Sequence, residues 1–189
     1  MRPGYWYSYV AMGAVVTALA VGAMPLVVSP FVTQGAPIGT VVASNVYYVN
    51  LTISGVGAPA TFFYSPHAAE APTHFKVVFN IVNHDTRVGS LPAPVYAQVL
   101  GTLGGYEIVS MGTNTGTMTG LPTKMVSHTF TMLAGTTLVN APIPPMLNNV
   151  PTKVSFTMVF NFPGNFGWSC VVLYGGPPNP GLTGTLQVR

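Results

Sequence analysis

The chain has 189 residues, a formal net charge of +3 and only 5% charged residues, where a soluble cytosolic domain carries about a quarter. Its length allows one domain plus an appendage, and its single cysteine excludes an internal disulfide. The few basic residues form no cluster and no base-reading motif, so nucleic acid is not an expected partner, and no CxxC or HExxH spacing points to zinc.

Residues 5–29, YWYSYVAMGAVVTALAVGAMPLVVS, contain no charge and are long enough to cross a bilayer as one helix. Arg2 on their N-terminal side places the N-terminus in the cytoplasm and the rest of the chain outside. Tyr5, Trp6, Tyr7 and Tyr9 suit an interfacial belt. The competing reading is a signal peptide cleaved after Ala23. The apolar run continues through Met24, Leu26, Val27 and Val28, which favours the anchor. The expected organisation is therefore an anchor over 1–30, a Gly/Pro-broken linker over 31–45 and an extracytoplasmic domain over 46–189. The expected place is the cell membrane, crossed once.

From residue 46 onward the apolar period is two. Residues 46–54 put Tyr47, Val49, Leu51 and Ile53 on one face, and residues 74–84 do the same with Phe75, Val77, Phe79 and Ile81. Asn50-Leu51-Thr52 is a glycosylation sequon, which this topology puts on the outer side. His67, Glu70 and His74, in SPHAAEAPTH, have irregular spacing and read as a solvated loop. Asn83-His84-Asp85-Thr86 reads as a capped turn, since no recognisable nucleophile accompanies it. Residues 101–123 read as an insertion with one short strand at 106–111, and residues 141–151, with four prolines, read as a loop. Residues 153–162 alternate cleanly, with Val154, Phe156, Met158, Phe160 and Phe162 inward. The closing strand sets Leu182, Gly184, Leu186 and Val188 against Thr183, Thr185 and Gln187. Half-buried strands between Gly/Pro turns predict an antiparallel sandwich. Its only acids would be Glu70, Asp85 and Glu107, an economy that suits an acidic exterior, where a protonated carboxyl cannot support a salt bridge.

Two stretches carry a family resemblance: residues 126–132, VSHTFTM, and residues 160–188, which begin FNFPGNFGWSC and end GTLQV. Alternation turns His128 inward with Val126, Phe130 and Met132, and Cys170 inward with Phe166, Trp168 and Val172. A histidine and a cysteine facing one interior is an arrangement that copper sites use; a buried cysteine and a hydrogen-bonded core histidine give the same pattern. With the anchor, the Pro-Gly turn and the closing strand, this layout resembles subunit II of haem–copper terminal oxidases. The resemblance implies a cupredoxin-like Greek-key sandwich behind one transmembrane helix. His128 and Cys170 match the family's first histidine and first cysteine. Its second cysteine falls on Tyr174, its later histidine on Pro178, and its methionine on Gly181 or Leu182. Gly175 and Gly176 stand where a blue-copper histidine belongs.

The implied protein is a subunit II of the quinol-oxidising type without its copper centre. His128 and Cys170 are vestigial ligand positions, and the chain has no catalytic, cofactor-binding or metal residue of its own. Haem and copper belong to the catalytic partner subunit, alongside other membrane subunits and a membrane quinol. Two alternatives stand beside this: a membrane-tethered blue-copper electron carrier, and a secreted β-sandwich subunit of a surface filament or layer.

Overall fold

Alternation at period two becomes strand wherever Gly and Pro leave it unbroken, and two sheets result. A computed structural model describes residues 45–56, 61–175 and 181–189. The anchor and linker expected over 1–45 lie, but for residue 45, outside these described residues. Among the described residues no helix is long and apolar enough to cross a membrane.

The strands are β1 (Val46–Val56), β2 (Thr61–Ser65), β3 (Ala68–Ala71), β4 (Lys76–Asn83), β5 (Glu107–Met111), β6 (Asn114–Met118), β7 (His128–Ala134), β8 (Thr137–Ile143), β9 (Thr152–Val159), β10 (Gly164–Ser169) and β11 (Thr183–Val188). A six-stranded sheet runs β2-β1-β4-β9-β5-β6, and a five-stranded sheet runs β3-β11-β10-β7-β8. Two neighbouring pairs, β1 with β4 and β3 with β11, are parallel, a departure from the purely antiparallel expectation. The cause is the path of the chain. After the β1–β2 hairpin it crosses to the other sheet as β3 and returns as β4, and a crossover of that kind brings back a parallel neighbour.

The inward faces follow the sequence pattern closely. Val49, Leu51, Ile53, Val77, Phe79, Ile81, Val154, Phe156, Met158, Leu186 and Val188 are all buried between the sheets. Phe79 stacks on Phe156 at 5.1 Å between ring centroids, Phe130 on Trp168 at 5.6 Å, and Tyr64 meets Trp168 edge-on. Each large side chain removed from water in this way contributes about 1.5–3 kcal/mol. Two residues leave the pattern at strand ends. Tyr47 is 39% exposed, and Phe162, expected inward, is 76% exposed because β9 stops at Val159 and the chain turns before β10.

Three loop expectations are corrected. SPHAAEAPTH contains β3, whose backbone is paired to β11. The insertion over 101–123 holds two strands, β5 and β6, which extend the six-stranded sheet at its edge. The Pro-rich stretch begins inside β8, where Pro142 is tolerated because β8 is an edge strand.

β7 departs from half-burial, since every residue from Val126 to Met132 is buried. The chain between β4 and β5 covers its outer side. Asn140 Nδ2 donates to the carbonyls of Tyr96 (3.0 Å) and Gln98 (2.7 Å), and Leu100 and Asn140 exchange backbone bonds of 2.8 and 3.0 Å. Thr131 closes the outer face by donating to Asn140 Oδ1 at 2.8 Å. The end of the sandwich holding the start of β7 is therefore packed on both sides.

Candidate functional site

β10 pairs with β7 through Trp168–Met132 and Ser169–Thr131, so the next residue of β10's chain arrives beside the start of β7. That residue is Cys170, and its Sγ lies 3.7 Å from Nδ1 of His128. Thr129 N–H donates to the same sulfur at 3.4 Å, and Val171 N–H donates to Thr129 Oγ1 at 3.0 Å. His128 is fully buried and Cys170 nearly so. The structure thus brings together the two residues that the sequence placed on one interior.

A third participant arrives from the end of β4. Asn83 Oδ1 accepts from Asp85 N–H at 2.9 Å, the side-chain-to-backbone turn that Asn favours, while Asn83 Nδ2 donates to Pro144 O at 2.9 Å. This turn aims Asp85 inward. Its Oδ2 accepts from His128 Nε2 at 3.1 Å and from Arg87 Nη2 at 2.9 Å, and its Oδ1 accepts from Arg87 N–H and Nε. The Arg87 guanidinium lies 4.1 Å from the Phe62 ring centre and 4.6 Å from that of Tyr174, held by both aromatic faces.

The fourth participant is Tyr174. The strip after Cys170 is held by reciprocal Ser90–Leu173 backbone bonds of 2.9 Å each. Gly89 permits that approach, since a Cβ there would stand 2.6 Å from Leu173 O. Tyr174 then points inward, its hydroxyl donating to Ser127 O and lying 2.9 Å from His128 Nδ1.

The single Tyr174 proton can serve only one of its two neighbours, Ser127 O or His128 Nδ1, and the state of the His128 ring decides which. Asp85 takes the proton on Nε2. His128 therefore has polar contacts at both ring nitrogens, and those with Asp85 and Cys170 favour its protonated form. Burial pushes its pKa down, and the hydrogen bonds to Asp85 and Cys170 more than reverse this, leaving it above its ordinary value. Burial pushes Cys170 up, and His128 and the backbone N–H of Thr129 outweigh it, leaving the thiol below its ordinary value. Asp85 likewise is pushed up by burial and brought below its ordinary value by His128 and Arg87. Tyr174 is raised by burial and by the charges of Cys170 and Asp85, which keeps its proton in place.

Copper is the group that a paired buried histidine and cysteine invite, and the donor set does not fit it. Nδ1 of His128 already has the Tyr174 hydroxyl at 2.9 Å. Burial raises Tyr174, so the phenol keeps its proton and is no anionic ligand. From 171 to 189 the sequence has no histidine, methionine or second cysteine, and an electron-transfer copper needs more than one imidazole and one thiolate. Among the described residues, no three His, Cys, Asp or Glu side chains stand together as a metal cluster.

The other candidates lie elsewhere. Glu70 is exposed and pairs with Arg189 at 2.8 Å, His67 Nδ1 lies 3.2 Å from Thr183 O, and His74 sits in the turn before β4. Asn50 is exposed in mid-β1, its Oδ1 accepting from Asn80 Nδ2 at 2.9 Å. Gly181 and Leu182 lead into β11 and carry no ligand atom, and Gly176 and Pro178 lie outside the described residues.

No family model matches the chain, and no curated protein matches it. Among solved structures it is similar to the copper protein rusticyanin of Thiobacillus ferrooxidans, with 11% identity, a TM-score of 0.38, and coverage of 76% of this chain and 78% of that one. It is similar to a multicopper oxidase of Pediococcus acidilactici, with 11% identity, a TM-score of 0.42, and coverage of 78% of this chain and 27% of that one. Auracyanin B is similar at 14% identity, with a TM-score of 0.34 and coverage of 78% and 96%.

Proposed function

We propose that this chain is a membrane-anchored, cupredoxin-like subunit II of a terminal oxidase of the quinol-oxidising kind, in which the copper position has become a hydrogen-bonded cluster. The observation that carries this reading is the Tyr174 hydroxyl against His128 Nδ1, where a metal would need the nitrogen's lone pair. An electron carrier needs an open donor set. A scaffold that caps the outer face of a catalytic subunit needs a rigid end, and a buried ionic cluster satisfied on every side supplies one. The sequence supports the membrane half of the reading through its charge-free run over 5–29. Quinol oxidation and oxygen reduction then belong to the complex, with haem and copper in the partner subunit and the quinol at their interface.

The test is purification of the tagged chain from detergent-solubilised membranes. A haem spectrum in the co-purifying material and quinol-driven oxygen uptake are expected. A chain recovered alone, or recovered with its N-terminal segment removed, counts against the reading.

A second reading keeps copper. It rests on the 3.7 Å spacing of Cys170 Sγ and His128 Nδ1 and on the Thr129 N–H bond to that sulfur, which together suit a thiolate held beside an imidazole. It requires Tyr174 to leave Nδ1. Stoichiometric copper with a strong visible thiolate band in the isolated protein would decide for it.

A further inference from the structure

We propose that the edge hairpin β5–β6 is an acid-closed latch, which stays closed while the buried carboxyl of Glu107 is neutral and is released when that carboxyl ionises. Glu107 opens β5 with its side chain turned inward beside Val109; it is 0% exposed, and neither carboxylate oxygen has a hydrogen-bond partner. A buried carboxyl in that state is tolerated as the neutral acid and not as the anion.

Among the described residues, the groups around it offer no counter-charge. β6, which faces it through Met118, is NTGTM and has no titratable side chain. β9 carries one, Lys153, which is exposed and paired in register with Ser110 at the other end of β5. The incoming stretch 98–106 holds only Tyr106, itself 43% exposed. Of the other cations, Arg87 is committed to Asp85 and Arg189 to Glu70, while Lys76 and Lys124 are exposed. Burial alone therefore sets the titration, raising it from 4.5 to about 8.

The hairpin also lies at one edge of its sheet. β6 pairs only with β5, and β5 is registered on β9 through Ile108, Val109 and Ser110 alone. Opening exposes Glu107 to water and returns it to an ordinary carboxyl. The closed form is thus fully favoured below pH 4.5, weakens as pH rises, and is weakest above about pH 8. A domain with this latch holds its edge shut in an acidic medium and loosens it in an alkaline one.

The test is amide hydrogen exchange on the full-length chain at pH 5, 6.5 and 8, comparing wild type with Glu107→Gln at each pH so that the intrinsic exchange rate cancels. The expected result is a protection ratio over residues 107–118, variant over wild type, that grows at least tenfold from pH 5 to pH 8, with β4 and β9 unaffected. A ratio that stays flat with pH overturns the latch. If the amide does not fold, Glu107→Leu serves as the uncharged comparison, with the same two outcomes.

Discussion

The Tyr174 hydroxyl lies 2.9 Å from Nδ1 of His128 and also meets Ser127 O, so the ring nitrogen that faces Cys170 has a second protein partner. Two residues 46 positions apart thereby meet at this end of the sandwich. A metal at Nδ1 would have to displace this contact and any proton the nitrogen holds.

Tyr174 is accordingly the residue to exchange. Wild-type protein is expected to take up no stoichiometric copper and to stay colourless when Cu(II) is added. Tyr174→His removes the phenol and supplies a second imidazole beside Cys170 and His128. The variant should gain copper uptake and a visible thiolate-to-copper band, read by titration and metal analysis. A folded variant that stays colourless, or a wild type that colours, contradicts this account of the site.

Asp85 should be the most costly polar residue of the cluster to alter. Asp85→Asn takes from the buried His128 the partner that favours its protonated form, and breaking a buried ion pair by removing one partner costs roughly 3–5 kcal/mol. The pH dependence follows from the two shifts. The Asp85 value is lowered, so its contribution is present above the ordinary 3.8 and is lost as pH falls through the folded value. The His128 value is raised, so its contribution is present below the ordinary 6.5 and is lost as pH rises through the folded value. Urea midpoints should therefore fall on both sides of the weakly acidic range in wild type. In Asp85→Asn the decline on the acid side should shrink, and an unchanged profile would remove Asp85 from the stabilising role.

Arg87 acts by shape as well as charge. Its fork bonds both Asp85 oxygens, Nε to Oδ1 and Nη2 to Oδ2, while its plane lies against Phe62 and Tyr174, a combination that a lysine ammonium cannot reproduce. Because its side chain is 41% exposed, solvent screens the charge, and Arg87→Lys should cost only about 1 kcal/mol. The clearer signature is at Tyr174, which loses the plane covering its ring. Quenching or chemical modification of Tyr174 should rise in Arg87→Lys, and equal accessibility in the two proteins would show that the stacking does not shield it.

The parts of this structure that were legible in the sequence are those written at period two. Val154, Phe156 and Met158 are buried as alternation requires, and His128 and Cys170 meet because each lies on the inward register of its own chain segment. Phe162 fails the same rule only because the strand ends before it. Asp85 was not legible as a partner of His128: locally NHDTR is a capped turn, which it is, and the contact spans 43 residues. The available signal was scarcity, since a chain with three acids that places one within two residues of an arginine is pairing charges. Tyr174 was read as the site of a missing cysteine, and its hydroxyl as a substitute for metal became visible only with the Ser90–Leu173 bonds that aim it. β3 and β6 were illegible for a different reason. Both are short, β3 being AAEA and β6 NTGTM, and both hold their place through backbone pairing to a neighbour, which leaves no pattern of large hydrophobic residues.

Cys170 separates scaffold from electron carrier. Its sulfur accepts from Thr129 N–H and faces His128, and both roles survive in outline when a smaller hydroxyl replaces it. Cys170→Ser should cost about 1–3 kcal/mol for the altered buried contact, a loss of stability visible in thermal unfolding. If electrons bypass this chain and reach the catalytic partner directly from quinol, oxygen uptake driven by a quinol analogue should remain near normal in the Cys170→Ser complex, once normalised to assembled enzyme. His128→Ala should likewise act through stability alone, because it empties a fully buried position and takes one hydrogen bond from Asp85, which keeps its Arg87 contacts. A carrier would respond in the opposite way: a fully assembled Cys170→Ser complex would contain its haem and yet fail to turn over. Loss of turnover without loss of assembly would overturn the scaffold reading and put an electron path through the sulfur.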